Sequence, residues 1–319
     1  MNCKSERDVN MISTREAYGQ ALVTLAERYD FYVMDADLAK ATQTVHFSKA
    51  YPERFIDMGI AEANMVGYAA GLSTCNIPVF VSTFAAFSAG RAYDQIRNSV
   101  AYPNCNVKIA ATHAGVLIGA DGGSHQCIED ISLMRTIPNM VVLCPCDEVE
   151  TMACIEAALR YEGPVYLRFG RIETPQIYSS QGFSFKIGKG HVIRDGCDVT
   201  IVAVGDMVSR SLSAAETLAQ QGIDAAVIDL ASIKPIDKDL LLRYARKTGY
   251  VVTVEDHNIY GGLGSAVAEV LSKQCPTPMD FVGVNDCFGR SGDPKELAVI
   301  YGLNEERIVE VVQGHFSHK

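Results

Sequence analysis

The 319-residue chain has no tryptophan, no C-x-x-C pair, no run of three basic residues and no G-x-G-x-x-G or P-loop glycine pattern. The missing tryptophan excludes nothing. The missing basic runs, with a formal net charge of -10, argue against nucleic acid or an anionic membrane as partner. An acidic chain can still build a local cationic pocket for a phosphorylated small molecule. No apolar run approaches the ~20 residues that span a bilayer. Met1 to Asn10 are polar and lack the apolar core of a secretory leader, so a loose tail at residues 1–10 and a cytoplasmic location are expected. Ten cysteines are present. Only Cys144-Pro145-Cys146 is a close pair, without a second pair to match it, and the others stand singly in apolar stretches. They read as reduced, mostly buried thiols, and no metal-ligand set is read within the chain.

What is present is an alternation of short apolar runs and helical periodicities. Ser13-Thr14-Arg15-Glu16 is an S-x-x-E capping pattern opening a helix. Strands are predicted at 31–34, 79–81, 107–111, 140–143 and 165–168. Helices are predicted at about 61–71, 89–100, 128–135 and 148–160. Residues 172–190 are turn-rich, and the linker is placed at 179–189. A second alternation follows, with strands at 199–204, 225–230, 250–254 and 281–284. Its helices are predicted at 208–221, 238–247, 265–273, 294–301 and 304–312. The chain therefore reads as two doubly wound α/β domains with mostly parallel sheets, at 11–178 and 190–319. Gly261-Gly262-Leu263-Gly264 reads as a tight strand-to-helix connection rather than a phosphate cradle.

In open parallel sheets, ligands sit at the carboxyl ends of the strands. Asp57 and Glu62 flank the start of a helix rich in small residues. Thr83 to Phe87, Thr112 to Gly115, Gly119 to His125 and Phe169 to Arg171 each follow a predicted strand. Taken singly, each has an ordinary explanation: a first-turn helix acid, a core aromatic, a hydrogen-bonded histidine, a turn or a surface charge. Together they indicate a ligand site of an α/β protein.

These runs resemble the C-terminal half of a transketolase, a thiamine-diphosphate enzyme. The resemblance rests on Gly59-Ile60-Ala61-Glu62, Ser82 to Phe87, Asp94-Gln95-Ile96-Arg97, Gly119 to His125, Glu129-Asp130, Thr253 to His257 and Arg290-Ser291-Gly292. It covers nearly all of residues 11–312 and implies a pyrimidine-binding domain followed by a transketolase C-terminal domain. The family's Gly-Asp-Gly motif and metal-binding Asn do not occur here. The resemblance therefore implies the second subunit of a split transketolase. An N-terminal partner subunit would bind the diphosphate and Mg²⁺ or another divalent ion, in an α2β2 assembly with a β–β dimer.

The resemblance also implies roles. Glu62 matches the carboxyl group that hydrogen-bonds the thiamine pyrimidine. Phe84 and Phe87 match the aromatic wall around that ring, with His125 and Asp37 near the cofactor. His113 and Asp121 match contacts to sugar hydroxyls, His113 also serving catalysis, and Arg15 and Arg171 match arginines that grip a sugar phosphate. The activity implied is transfer of a two-carbon ketol unit from a ketose phosphate to an aldose phosphate. Ala41 stands where the family often has a phosphate-binding Ser. Ser88-Ala89-Gly90 stands where some members have a third aromatic. The alternatives are a related thiamine-dependent transferase of another sugar phosphate, such as a 1-deoxyxylulose-5-phosphate synthase-like enzyme, and a non-catalytic scaffold partner. The histidine in Thr112-His113-Ala114-Gly115 favours a transketolase over the synthase, which tends to have Arg there.

Overall fold

The computed structural model describes residues 11–317; the tail expected at residues 1–10 lies outside them. Two sheets carry the chain. The first runs, in spatial order, Ser232–Lys234, Val141–Leu143, Val165–Arg168, Val107–Thr112, Val79–Phe84, Tyr32–Asp35 and Phe55–Asp57. All of its pairings are parallel except that of Ser232–Lys234 with Val141–Leu143. The second runs Met279–Val284, Val251–Asn258, Val199–Ala203, Ala225–Asp229 and His191–Arg194. Its pairings are parallel apart from the edge strand His191–Arg194. The central strands Val79–Phe84, Val107–Thr112, Val199–Ala203 and Ala225–Asp229 are buried throughout. This is what helices on both faces of a parallel sheet require.

Local chemistry explains the helix starts. The Ser13 hydroxyl accepts the Glu16 N–H at the head of Thr14–Leu25. Asp147 and Asp237 cap Glu148–Arg160 and Lys238–Thr248 in the same way, each satisfying a backbone donor that the helix leaves open. Five short strands were not expected: Met11–Ser13, Glu173–Pro175, Phe55–Asp57, His191–Arg194 and Ser232–Lys234. The last comes from the second half of the chain and closes one edge of the first sheet, so the two sheets share a chain crossing. Met11–Ser13 pairs with Glu173–Pro175 in a separate two-stranded ribbon. The helix predicted at 89–100 is instead two π-helical turns, Ala86–Arg91 and Ile96–Ala101, around a short α-helical turn. Among the described residues no helix is long and apolar enough to cross a membrane.

Candidate active site

The carboxyl ends of the first sheet's strands gather most of the candidate side chains into one continuous line. It begins at Glu62, the first residue of helix Glu62–Ser73. The Glu62 side chain is only 4% exposed, and its Oε1 accepts a hydrogen bond from Arg91 Nη1 at 3.1 Å. The Arg91 guanidinium lies 4.2 Å from the centre of the Phe87 ring. Phe87 stacks on Phe84 with ring centres 5.5 Å apart. The far face of Phe84 is covered by the His113 imidazole at 3.8 Å. His125 stands edge-on to Phe84 and Phe87, at 6.1 and 5.4 Å, its Nδ1 within 2.9 Å of the Ser124 hydroxyl.

The line continues into a cationic cleft of about 510 Å³ lined by Arg15, Ile118, Gly119, Arg171, Gly292 and Pro294, among others. Arg15 Nη1 donates to the Ala41 carbonyl at 2.9 Å and to His113 Nε2 at 3.4 Å. Its Nε is buried with no protein partner. Arg171 Nη1 donates to the Ile118 carbonyl and, at 2.8 Å, to Asp121 Oδ2. Because Arg15 donates to Nε2, the network assigns the His113 proton to Nδ1, which donates to Thr112 Oγ1 at 3.0 Å. Burial, then the charges of Arg15 and Arg171, push the His113 pKa down to about 3. This histidine is neutral at any physiological pH. Its backbone sits at φ +57, a strained setting for a residue other than glycine and one that recurs at functional positions.

Asp37 stands apart. It follows strand Tyr32–Asp35 on an exposed turn at φ +62, and its backbone N–H donates to Asp57 Oδ1. Among the described residues its carboxylate makes no hydrogen bond or ion pair with the ring cluster. Its neighbour Asp35 is the buried acid here. It accepts hydrogen bonds from the Leu38 N–H, Thr42 and Thr44, and burial pushes its pKa up to about 6.

Two contributors were not singled out from spacing. One is Arg91. It sits at the end of the π-helical turn Ala86–Arg91, four residues after Phe87, and the i, i+4 spacing of side chains that meet on one helix face is the signal that could have found it. The other is Asp256, at the carboxyl end of a second-sheet strand. Its carboxylate accepts the N–H groups of Val116 and Leu117 at 2.9 and 3.3 Å, fixing the loop whose Ile118 carbonyl holds Arg171. Gly115 must be glycine at this approach: its φ is +82, and a Cβ would fall 1.9 Å from Asp256 Oδ2. Burial, then the neighbouring Asp206, raises the Asp256 pKa to about 7.

Aromatic faces beside a buried carboxyl, next to a two-arginine cleft, make half of a site for a planar heteroaromatic group and an anionic substrate. The donors fit such a group. The Arg91 guanidinium, planar and cationic, already stacks on Phe87 and bonds Glu62, the two contacts that a protonated aminopyrimidine would make. No phosphate-binding glycine loop accompanies them in the sequence.

The fold is an α/β pair of domains of the class found in the transketolase family, whose members use thiamine diphosphate. The chain belongs to the transketolase family: residues 10–176 match the transketolase pyrimidine binding domain and residues 188–308 the transketolase C-terminal domain. It is 48% identical to a putative transketolase C-terminal section of Methanocaldococcus jannaschii over 93% of this chain and 94% of that one. It is 44% identical to a 6-deoxy-6-sulfo-D-fructose transketolase subunit of Clostridium sp., over 92% of each. A solved split-gene transketolase, described as an inactive β4 tetramer, superposes with a TM-score of 0.88 at 53% identity, covering 95% of this chain and 98% of that one. The chain is thus similar over more than nine-tenths of its length to a transketolase C-terminal section, a transketolase subunit and a split-gene transketolase.

Proposed function

We propose that this chain is the pyrimidine-side subunit of a two-chain transketolase that moves a two-carbon ketol unit from a ketose phosphate to an aldose phosphate. The observation that carries this is the unbroken line from Glu62 and Arg91 through Phe87, Phe84 and His113 to Arg15 and Arg171. It joins a cofactor-ring surface directly to an anion cleft. Thiamine diphosphate, when bound, supplies the nucleophilic carbon that no side chain here can offer. A partner subunit would hold its diphosphate and Mg²⁺, and the assembly would be α2β2. The location would be the cytoplasm, in keeping with free thiols throughout the described chain.

The roles follow from the side chains. Glu62, buried at the start of its helix, would share a proton with a ring nitrogen of the cofactor. Phe84 and Phe87 would wall that ring. The neutral His113 would accept a hydrogen bond from a sugar hydroxyl at Nε2 without adding charge, and Asp121 would accept one from another. Arg15 and Arg171 would hold the phosphate with the guanidinium N–H groups that their Nη1 contacts leave over. The reaction breaks the C2–C3 bond of the ketose, releases the shortened aldose, and joins the two-carbon unit to the acceptor aldehyde carbon.

The face that would meet the partner carries Ile60, 75% exposed, and Tyr68, 52% exposed. Apolar groups so placed favour a covering chain. The solved relative's description as an inactive β4 tetramer fits a β chain that lacks half a site. Calorimetry tests the reading: the isolated chain should bind thiamine diphosphate weakly or not at all. Adding the diphosphate-domain subunit with Mg²⁺ should bring tight binding and turnover together. Micromolar, metal-dependent binding by the isolated chain would overturn it.

A further inference from the structure

Away from this line, the interior between the two sheets buries a thiol and three carboxyl groups. Cys146 is 1% exposed, and Asp147, Glu150 and Asp229 are fully buried. Among the described residues no lysine or arginine pairs with any of the three acids. Asp147 is satisfied by backbone: its oxygens accept the N–H groups of Glu150, Ile177 and Tyr178, each at 2.8 Å. The other two are not. Glu150 Oε2 accepts the Cys146 N–H at 2.9 Å, while its Oε1 has no partner. Asp229 Oδ2 accepts the Tyr178 hydroxyl at 2.8 Å and the Cys146 thiol at 3.3 Å, while its Oδ1 has none. Buried anions without a cation are costly, so this charge must be removed by protons or balanced by a metal.

The donor set points to a metal. The Cys146 sulfur and one oxygen each of Glu150 and Asp229 all lie within 4.8 Å of one another. A fourth donor lies outside that 4.8 Å group but is carried on the adjoining strand. His191 is the direct antiparallel partner of Asp229, so the two side chains leave the same face of the sheet. Its ring packs against Tyr178 at 5.6 Å, and its Nε2 has no partner. Thiolate, imidazole and two carboxylates make a four-ligand set suited to a borderline-soft cation of tetrahedral preference. We propose that Cys146, Glu150 and Asp229, joined by His191, form a buried Zn²⁺ site that fastens the first sheet's helix Glu148–Arg160 to the edge of the second sheet. Binding forms a Zn–S bond and releases the thiol proton, together with the proton that balances the carboxyl groups in the metal-free chain, with no change of oxidation state. The ligands come from three separate stretches of the chain, with only Cys146 and Glu150 close in sequence, which is why no spacing motif marks them. None belongs to the proposed transferase site, so the inference stands apart from that reading.

The test uses the full chain without a histidine tag, stripped with chelating resin and reloaded with Zn²⁺ or Co²⁺. About one ion per chain should be retained through gel filtration, as expected of a closed structural site. Zn²⁺ should raise the unfolding temperature. The Co²⁺ form should show tetrahedral visible bands and a thiolate-to-metal charge-transfer band. Cys146→Ser should abolish the charge-transfer band, and Glu150→Gln or Asp229→Asn should weaken retention about tenfold or more. If the variants do not fold, the wild type still decides, because a retained ion must protect Cys146 from alkylation during partial unfolding. Failure to retain either ion at micromolar concentration would overturn the proposal and leave shared protons as the balancing charge. Equal retention and spectrum in Cys146→Ser would also overturn it, by putting the ion on an exposed thiol such as Cys75, Cys197 or Cys287.

Discussion

Arg91→Ala should make cofactor binding by the complete two-subunit enzyme tighter, although it removes a salt bridge. Arg91 occupies both contacts that the cofactor ring would take under the proposed roles: the Glu62 carboxylate at 3.1 Å and the face of Phe87 at 4.2 Å. An incoming ring must displace it. The guanidinium side chain is 56% exposed, so water screens the pair, and such pairs are worth about 0.2–1 kcal/mol. A cation over an aromatic face at a partly exposed site adds about 0.5–1 kcal/mol. Displacement therefore costs about 1–2 kcal/mol, and removing Arg91 should lower the cofactor Kd about five- to thirtyfold.

The assay is calorimetric titration of the reconstituted enzyme with thiamine diphosphate and Mg²⁺. The same substitution in a Glu62→Gln background should gain less, since half of what Arg91 blocks is then altered. The chain alone should lose about 1 kcal/mol of stability, because Glu62 keeps its burial and loses its cation. An unchanged or raised Kd in Arg91→Ala would refute the reasoning. It would mean that Arg91 contacts the cofactor rather than standing in its place.

Glu62→Gln should leave fold and assembly intact and lower turnover about 10²-fold or more. Near-normal exchange of the bound cofactor's C2 proton in that variant would remove Glu62 from its role. Arg15→Ala or Arg171→Ala should raise KM for phosphorylated donors by about 30- to 150-fold, the equivalent of about 2–3 kcal/mol. KM for the unphosphorylated donor hydroxypyruvate should change little. Equal losses for both donors would mark the arginines as structural. His113 should show no NMR titration step above pH 5. With its folded pKa near 3 against about 6.5 unfolded, only the unfolded chain takes up this proton between those values. Its contribution to stability is then whole above pH 6.5 and falls by up to about 1.4 kcal/mol per unit as the pH drops towards 3.

The legible parts of the fold were those fixed by local sequence. Helix Glu148–Arg160 begins where Asp147 can cap it and ends at a basic last turn. Strand Val165–Arg168 is a compact apolar run that nothing but a buried strand accommodates. His191–Arg194 and Ser232–Lys234 were not legible, because strands of four and three residues owe their existence to the partner they meet, 30 or more residues away in one case and across the two sheets in the other. The site divides the same way. Phe84, Phe87, His113, Arg15 and Arg171 lie on predicted strand ends or helix starts, so their convergence could be anticipated. Arg91 was not anticipated, because the helix was predicted to begin at residue 89, after Phe87, which hides that the two stand four residues apart on one helical turn.

The second sheet touches none of the ring cluster directly, yet the cleft depends on it. Strand Val251–Asn258 ends in Glu255-Asp256-His257, three ionisable groups in a row, all buried. Each faces a different backbone segment. Glu255 accepts the N–H groups of Leu263 and Gly264, at 2.7 and 2.8 Å, and so caps the next helix. His257 Nε2 lies 3.5 Å from the Ser132 N–H, near the head of Asp130–Thr136. Asp256 takes Val116 and Leu117, while its backbone carbonyl accepts from Arg168, whose Nε donates to Asp130 at 2.8 Å. A buried pair of this kind adds little net stability, but it is expensive to break, so it holds its neighbours in one arrangement. The loop at 116–118 is thereby clamped from the second sheet while its Ile118 carbonyl anchors Arg171. The position of a guanidinium in the cleft is consequently set by a carboxylate some 85 residues further along the chain, in the other sheet. A domain that supplies none of the proposed reacting groups would in this way still govern how an anion in the cleft is held.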